Sequence, residues 1–147
     1  MDYRGQMCSL YRVAWQQTAI RPTQFDPSLA ADSFERALAA TLSGAGLDLR
    51  MPLPGMADPN LVVRPEIVRA DPGSRSLRWM FTMLAGHAIF EVRGLVGGPA
   101  GPFGAFQGKG TRRWGIYGGD SRVLLNDAAR MAGERAAAQI LALLAAQ

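Results

Sequence analysis

The chain has 147 residues, 48% of them hydrophobic and 19% charged, with a formal net charge of +4 and a pI near 10.0. That is enough for one domain, residues 1–147, which buries about two-thirds of its unfolded surface without needing a disulfide or a metal. Cys8 and His87 are the only cysteine and histidine, which excludes an internal disulfide and a zinc site built from Cys and His.

Residues 1–9 read as a loosely ordered N-terminal segment. Met1–Leu10 holds no apolar stretch of the kind a secretion signal needs, so the chain is expected to be cytosolic or to begin downstream of a removed leader. From Leu10 to Ile20 apolar and polar residues alternate, with Tyr11, Val13, Trp15 and Ala19 on one side, the pattern of a half-buried strand. Asp26-Pro27 then opens a helix whose inward stripe is Ala30, Phe34, Ala37, Leu38, Thr41 and Leu42, closed by Gly44 and Gly46. Only Leu47–Leu49 can add a short strand in the proline-rich loop that follows.

Leu61–Ala70 reads as a strand, and Pro65 within it argues for an edge position or a bulge. Asp71-Pro72-Gly73-Ser74 is a turn. Ser76–Val96 contains a third strand, clearest from His87 on, with Ala88, Phe90, Val92 and Val96 facing a core. Gly97–Gly101 reads as a loop, and 103–114 as a fourth strand interrupted by Gly104, Gly108 and Gly110. The apolar run from Trp79 to Phe90 is too short to span a bilayer.

The last segment, from Gly118-Gly119-Asp120-Ser121 to the end, has no proline. Leu125, Ala128, Ala132, Ala136, Ile140, Leu143 and Leu144 recur at helical spacing. Alanine dominates this stripe and Gly133 interrupts it, so the helix is expected to pack close to its neighbours. The order β-α-β-β-β-α gives an α+β two-layer sandwich: a largely antiparallel sheet of four to five strands with both helices on one face.

Chemistry-bearing motifs are few. No serine lies in a nucleophile elbow, Cys8 has no activating partner, and the glycine-rich stretches match neither a dinucleotide fingerprint nor a phosphate-binding loop. Those glycines read instead as turns and bulges. No cofactor and no metal are implied, and the chain reads as a non-enzyme. Lys109 is the only lysine, so almost all the positive charge is arginine, which pairs bidentately with carboxylate or phosphate. Arg112, Arg113 and Arg122, with Gly119 at the helix start, form a candidate anion site. Trp79, Phe81, Met83 and Leu84 form a candidate interface, because so dense an apolar run cannot bury every side chain on one sheet face. Arg78, between Leu77 and Trp79, is expected to be a structural arginine with a carboxylate or carbonyl partner.

Several of these patterns carry a resemblance. Phe34, Ala37, Leu38, Leu42, Ala45 and Gly46 in helical spacing, then Gly73-Ser74-Arg75-Ser76-Leu77-Arg78, Ala85-Gly86-His87-Ala88, Gly118-Gly119-Asp120 and the alanine-rich last helix resemble domain-of-unknown-function family 4410. The resemblance covers roughly residues 10–146. It implies a small protein of the Gram-negative cell envelope or periplasm, where many members are lipoproteins, with no assigned activity. Thr82 and Leu84 stand where that family tends to have glycines, and Cys8 is not preceded by a lipobox, so lipidation does not carry over. The expected function is therefore protein–protein interaction by an envelope-associated domain, with another chain or a second copy as partner. The alternative is an anion- or nucleic-acid-binding module using the arginine patch.

Overall fold

The computed structural model describes residues 4–15, 28–51, 61–71, 87–113 and 121–146. Among them, strands β1 (Met7–Leu10) and β2 (Ala14–Trp15) precede helix α1 (Ser28–Gly44). Strands β3 (Asp48–Arg50), β4 (Leu61–Asp71), β5 (His87–Gly98) and β6 (Gly101–Arg113) follow, and helix α2 (Ser121–Ala145) closes the chain. The sheet order is β3-β1-β4-β5-β6, with β2 also paired to β4. The two long ladders, β4–β5 and β5–β6, are antiparallel. The three short pairings, β1–β3, β1–β4 and β2–β4, are parallel and make one side of the sheet mixed.

Both helices lie on one face, as the single apolar stripe of each requires. The Phe34 ring of α1 sits 5.7 Å from that of Phe90 on β5. Gly110, the cross-strand neighbour of Phe90, lies directly under the Ala128 carbonyl of α2. Alternate residues of the strands point into this layer: Val63 and Ile67 from β4, Ala88, Phe90, Val92 and Val96 from β5, and Phe106 from β6. They meet Ala30, Phe34, Leu38 and Leu42 of α1 and Leu125, Ala128, Ala132, Ala136, Ile140 and Leu144 of α2, all buried.

Gly108 and Gly110 do not make turns or bulges, as the sequence reading had it. They form a side-chain-free groove on β6, where a Cβ would collide with the carbonyls of Ala132 and Ala128. The turn in this hairpin is Pro99-Ala100, between the paired residues Gly98 and Gly101. Gly133 plays the corresponding part between the helices: a Cβ there would stand 2.6 Å from the Phe34 carbonyl and 2.9 Å from the Ala37 Cβ.

The first strand departs from the expected uninterrupted run. Residues 7–9, which the sequence reading left in a loose segment, join Leu10 in a strand that pairs with both β3 and β4, and Cys8 is fully buried. Leu10 pairs with Val63, but Ala14 pairs with Glu66, so four steps on one strand match three on the other. Tyr11–Val13 is thus a bulge. Pro65 faces it. The Val63 carbonyl accepts from the Tyr11 N–H on this side of β4, and the N–H that Pro65 lacks would fall two residues on, at the interruption. This is how a proline sits in a central strand.

The α1 end follows the expected glycine cap. Leu47 N–H donates to the Leu42 carbonyl and Gly46 N–H to that of Ser43, with Gly46 at φ +99°, a Schellman motif that delivers the chain into β3. Residues 16–20, the loop 52–60, the segment 72–86 and the step 114–120 lie outside the described residues.

The Gly133 contact yields a sign test. Helix propensity alone predicts that Gly133→Ala stabilises by about 1 kcal/mol. Overpacking against the α1 backbone predicts a net loss of about 1–3 kcal/mol. Urea denaturation is expected to show the loss, and a raised midpoint would contradict the close helix crossing.

Candidate functional site

Among the described residues one face of the sheet carries no helix, and it presents three cross-strand rows. Arg64, Leu95 and Ala105 form one, Glu66, Arg93 and Gln107 the next, and Arg69, Glu91 and Lys109 a third. This face is polar and charged, while its Leu95 is 47% exposed. Between the first two rows, and against the β1–β2 bulge, lies an open cleft of about 600 Å³, lined by Tyr11, Arg12, Arg64, Glu66, Arg93 and Leu95, with Ala105 and the backbone at Pro65, Gly94 and Phe106.

The bulge builds one wall. In a regular strand, neighbouring side chains point to opposite faces, yet Tyr11 and Arg12 both line the cleft. The extra residue re-aims one of them. The Arg64 guanidinium lies 4.1 Å from the centre of the Tyr11 ring, a stacked arrangement that orients it. The bulge is anchored from the other side of the sheet: Val13 N–H donates to Glu35 Oε1 of α1 at 3.0 Å. Across the cleft, Arg93 Nε and Glu66 Oε2 are 3.7 Å apart, with side chains 59% and 40% exposed. A pair so long and so wet contributes little to stability.

Phe106 and Gly94 make the floor possible. The Phe106 ring lies on the core face over Gly94, where any Cβ would collide with it and with the Arg64 carbonyl. Ala105 on the open side leaves room that a larger residue would fill.

Among the described residues both sheet edges are guarded. On β6 the Gln107 N–H donates to Gln139 Oε1 of α2 at 2.7 Å, and Arg135 Nη1 of α2 donates to the Lys109 carbonyl at 2.7 Å. On the opposite edge β3 is short and carries Asp48 and Arg50, themselves 3.3 Å apart. Side-chain capping and a short, charged edge strand both block the addition of another strand.

The residues singled out by sequence are distributed otherwise. Arg112 is half-buried on the helix side, with a buried Nε that has no hydrogen-bond partner among the described residues. Arg113 ends β6 and Arg122 lies in the first turn of α2. Their side chains, and all of Gly119, fall outside the described residues, as do Arg78, Trp79, Phe81, Met83 and Leu84 and the side chain of His87. The Glu91 carboxylate accepts from Gln107 Nε2 at 3.3 Å. Cys8 is buried, and burial pushes its thiol up to about 11, so it is protonated and unavailable as a nucleophile at neutral pH. No described group of three His, Cys, Asp or Glu side chains is placed to hold a metal ion. Among the described residues, no helix is long and apolar enough to cross a membrane.

Sequence reasoning missed the cleft. Its arginines are far apart in the chain, and a bulge leaves no mark in an alternating pattern. Pro65 was the one available signal.

No family model matches the chain and no curated protein matches it, so family 4410 stays a resemblance. Solved structures do match over nearly the whole chain. A Xanthomonas campestris protein of domain-of-unknown-function family 330 shares 9% identity, covers 98% of this chain and 88% of its own, and superposes with a TM-score of 0.63. A lipoprotein of Neisseria meningitidis shares 9% identity over 97% of this chain and 99% of its own, with a TM-score of 0.51. The PelC protein of Paraburkholderia phytofirmans, crystallised as a dodecamer, shares 17% identity over 91% of this chain and 88% of its own, with a TM-score of 0.50. At these identities the likeness is one of fold: a two-layer α+β domain also found in the Neisseria lipoprotein.

Two outcomes test the local chemistry. Glu35→Ala leaves the Val13 N–H without its charged acceptor and is expected to cost about 1–3 kcal/mol in urea denaturation. The Cys8 pKa is raised from 9.0 to about 11 in the folded chain. Its contribution is therefore full below pH 9 and lost as pH rises toward 11. The stability advantage of wild type over Cys8→Ala is expected to shrink between pH 9.0 and about 11.

Proposed function

We propose that this protein is a small, non-enzymatic domain of the bacterial cell envelope that works by binding protein chains, a second copy of itself first among them. The observation that carries this reading is the helix-free sheet face. Among the described residues, both helices lie on one side of the sheet and both edges are guarded against strand addition, so the other face is the surface that supports association. It carries Leu95, 47% exposed, and the adjoining hairpin carries Phe103, 37% exposed, beside a cleft rather than a flat solvated sheet. A surface of mixed apolar and arginine character is the usual composition of protein interfaces.

The envelope part of the reading draws on the fold shared with a Neisseria lipoprotein and on the family resemblance. The homo-oligomeric part draws on the fold shared with a chain that forms a dodecamer. The apolar run holding Trp79, Phe81, Met83 and Leu84 is a second contact surface under the same reading.

Sedimentation velocity separates the possibilities. Wild type is expected to sediment well above the 15.8 kDa of one chain. Leu95→Glu and Phe103→Glu are expected to shift it toward the monomer without lowering thermal stability. Loss of assembly with Phe81→Glu alone would move the contact to the Trp79–Leu84 run. A wild-type monomer at every concentration up to about 100 µM, the range of weak association, would overturn self-assembly.

A further inference from the structure

We propose that the cleft on the helix-free face is a carboxylate receptor, which takes an acidic side chain from a segment of the partner protein docked there. Among the described residues, three guanidinium groups, Arg12, Arg64 and Arg93, line it against a single carboxylate, Glu66. That carboxylate is only loosely committed, 3.7 Å from Arg93. Among the described residues neither Arg12 nor Arg64 has an ion pair. The cleft thus holds more fixed positive charge than it neutralises, and the missing component is negative.

Geometry adds to charge. The Tyr11 ring under Arg64 holds that guanidinium in place before any ligand arrives, and an oriented guanidinium loses less freedom on pairing. The bulge that puts Tyr11 and Arg12 together is tied to α1 through Glu35, so the wall is part of the framework. Leu95 and Ala105 flank the charges with apolar surface. A glutamate matches this pattern: a carboxylate for the arginines on a short aliphatic stem for Leu95. The openness of the cleft favours a side chain presented by a protein surface over an engulfed small molecule, because small-molecule sites bury most of their ligand. These arginines are not the set expected from the sequence.

The inference rests on the protein-binding reading above but is tested apart from it. The probe is a soluble peptide of alternating leucine and glutamate, with its glutamine counterpart as control. Binding is followed through the Nε–H signals of the arginines by NMR, on the wild-type chain kept dilute. Saturable shifts at Arg12, Arg64 and Arg93 with the glutamate peptide are expected, and binding at least about tenfold weaker for the glutamine peptide. Arg64→Gln and Arg93→Gln should each weaken the glutamate peptide by about tenfold, and added salt should weaken it further. Glu66→Gln should tighten it, since the competing carboxylate is gone; a purely structural role for Glu66 would not produce that sign.

Equal affinity for the two peptides, shifts no larger at the three cleft arginines than at the exposed Arg36 and Arg130, or hexanoate binding as tightly as the glutamate peptide would each overturn the proposal. Sedimentation reads the assembly and the peptide reads the cleft. An assembling protein with no preference for the glutamate peptide loses only the cleft proposal. A monomer that prefers it loses only the assembly.

Discussion

The arrangement depends on one close approach, that of the α2 backbone to the sheet and to α1. Side chains normally hold helices and sheets roughly 10 Å apart. Here Gly108 and Gly110 remove the side chains of β6 along the line of contact, and alanines at 128, 132 and 136 of α2 fill the groove. On its other flank α2 uses Gly133 to touch the α1 backbone. A helix held this tightly against the last strand can reach its edge with Gln139 and Arg135, and so closes it. The bulky part of the core, Phe34 against Phe90, is displaced toward α1 and the middle of the sheet.

This division of labour leaves the opposite face without a helix among the described residues. The buried apolar stripes of both helices are spent on one side, and the strands match them with aliphatic residues, Phe90 and Phe106 on alternate positions. The intervening positions carry arginines, glutamates, Gln107 and Lys109 in cross-strand rows. Cross-strand pairs of opposite charge keep such a face soluble at little energetic cost. The cleft arises where that pattern is broken, at the bulge of Tyr11–Val13 and the small Ala105.

The bulge links the two faces. It stands opposite Pro65, whose missing N–H a regular ladder would need, and its own Val13 N–H goes to α1. A local backbone irregularity is thereby satisfied from the core side and displays its side chains on the open side. Cys8, a short way upstream in the same chain segment, is an ordinary core residue. Burial raises its pKa, the opposite of what a reactive thiol requires.

By itself the sequence determined the layers. Helical and alternating periodicities are local properties, so the stripes of α1 and α2 and the buried face Ala88–Phe90–Val92–Val96 were legible from spacing alone. From one apolar stripe per helix and one apolar face per strand it follows that both helices share a face. Gly133 as a contact point was legible for the same reason, since a glycine in an otherwise strong helix needs a neighbour to explain it. Only the tertiary structure decided what the β6 glycines do, because a glycine that turns the chain and one that admits a helix look alike in sequence. It also decided that β1 is a paired strand, since four residues become a strand only when β3 and β4 bracket them. The site followed the same rule. Arg12, Arg64 and Arg93 are brought together by strand order and register, and register is a relation between distant segments that no single stretch of sequence contains.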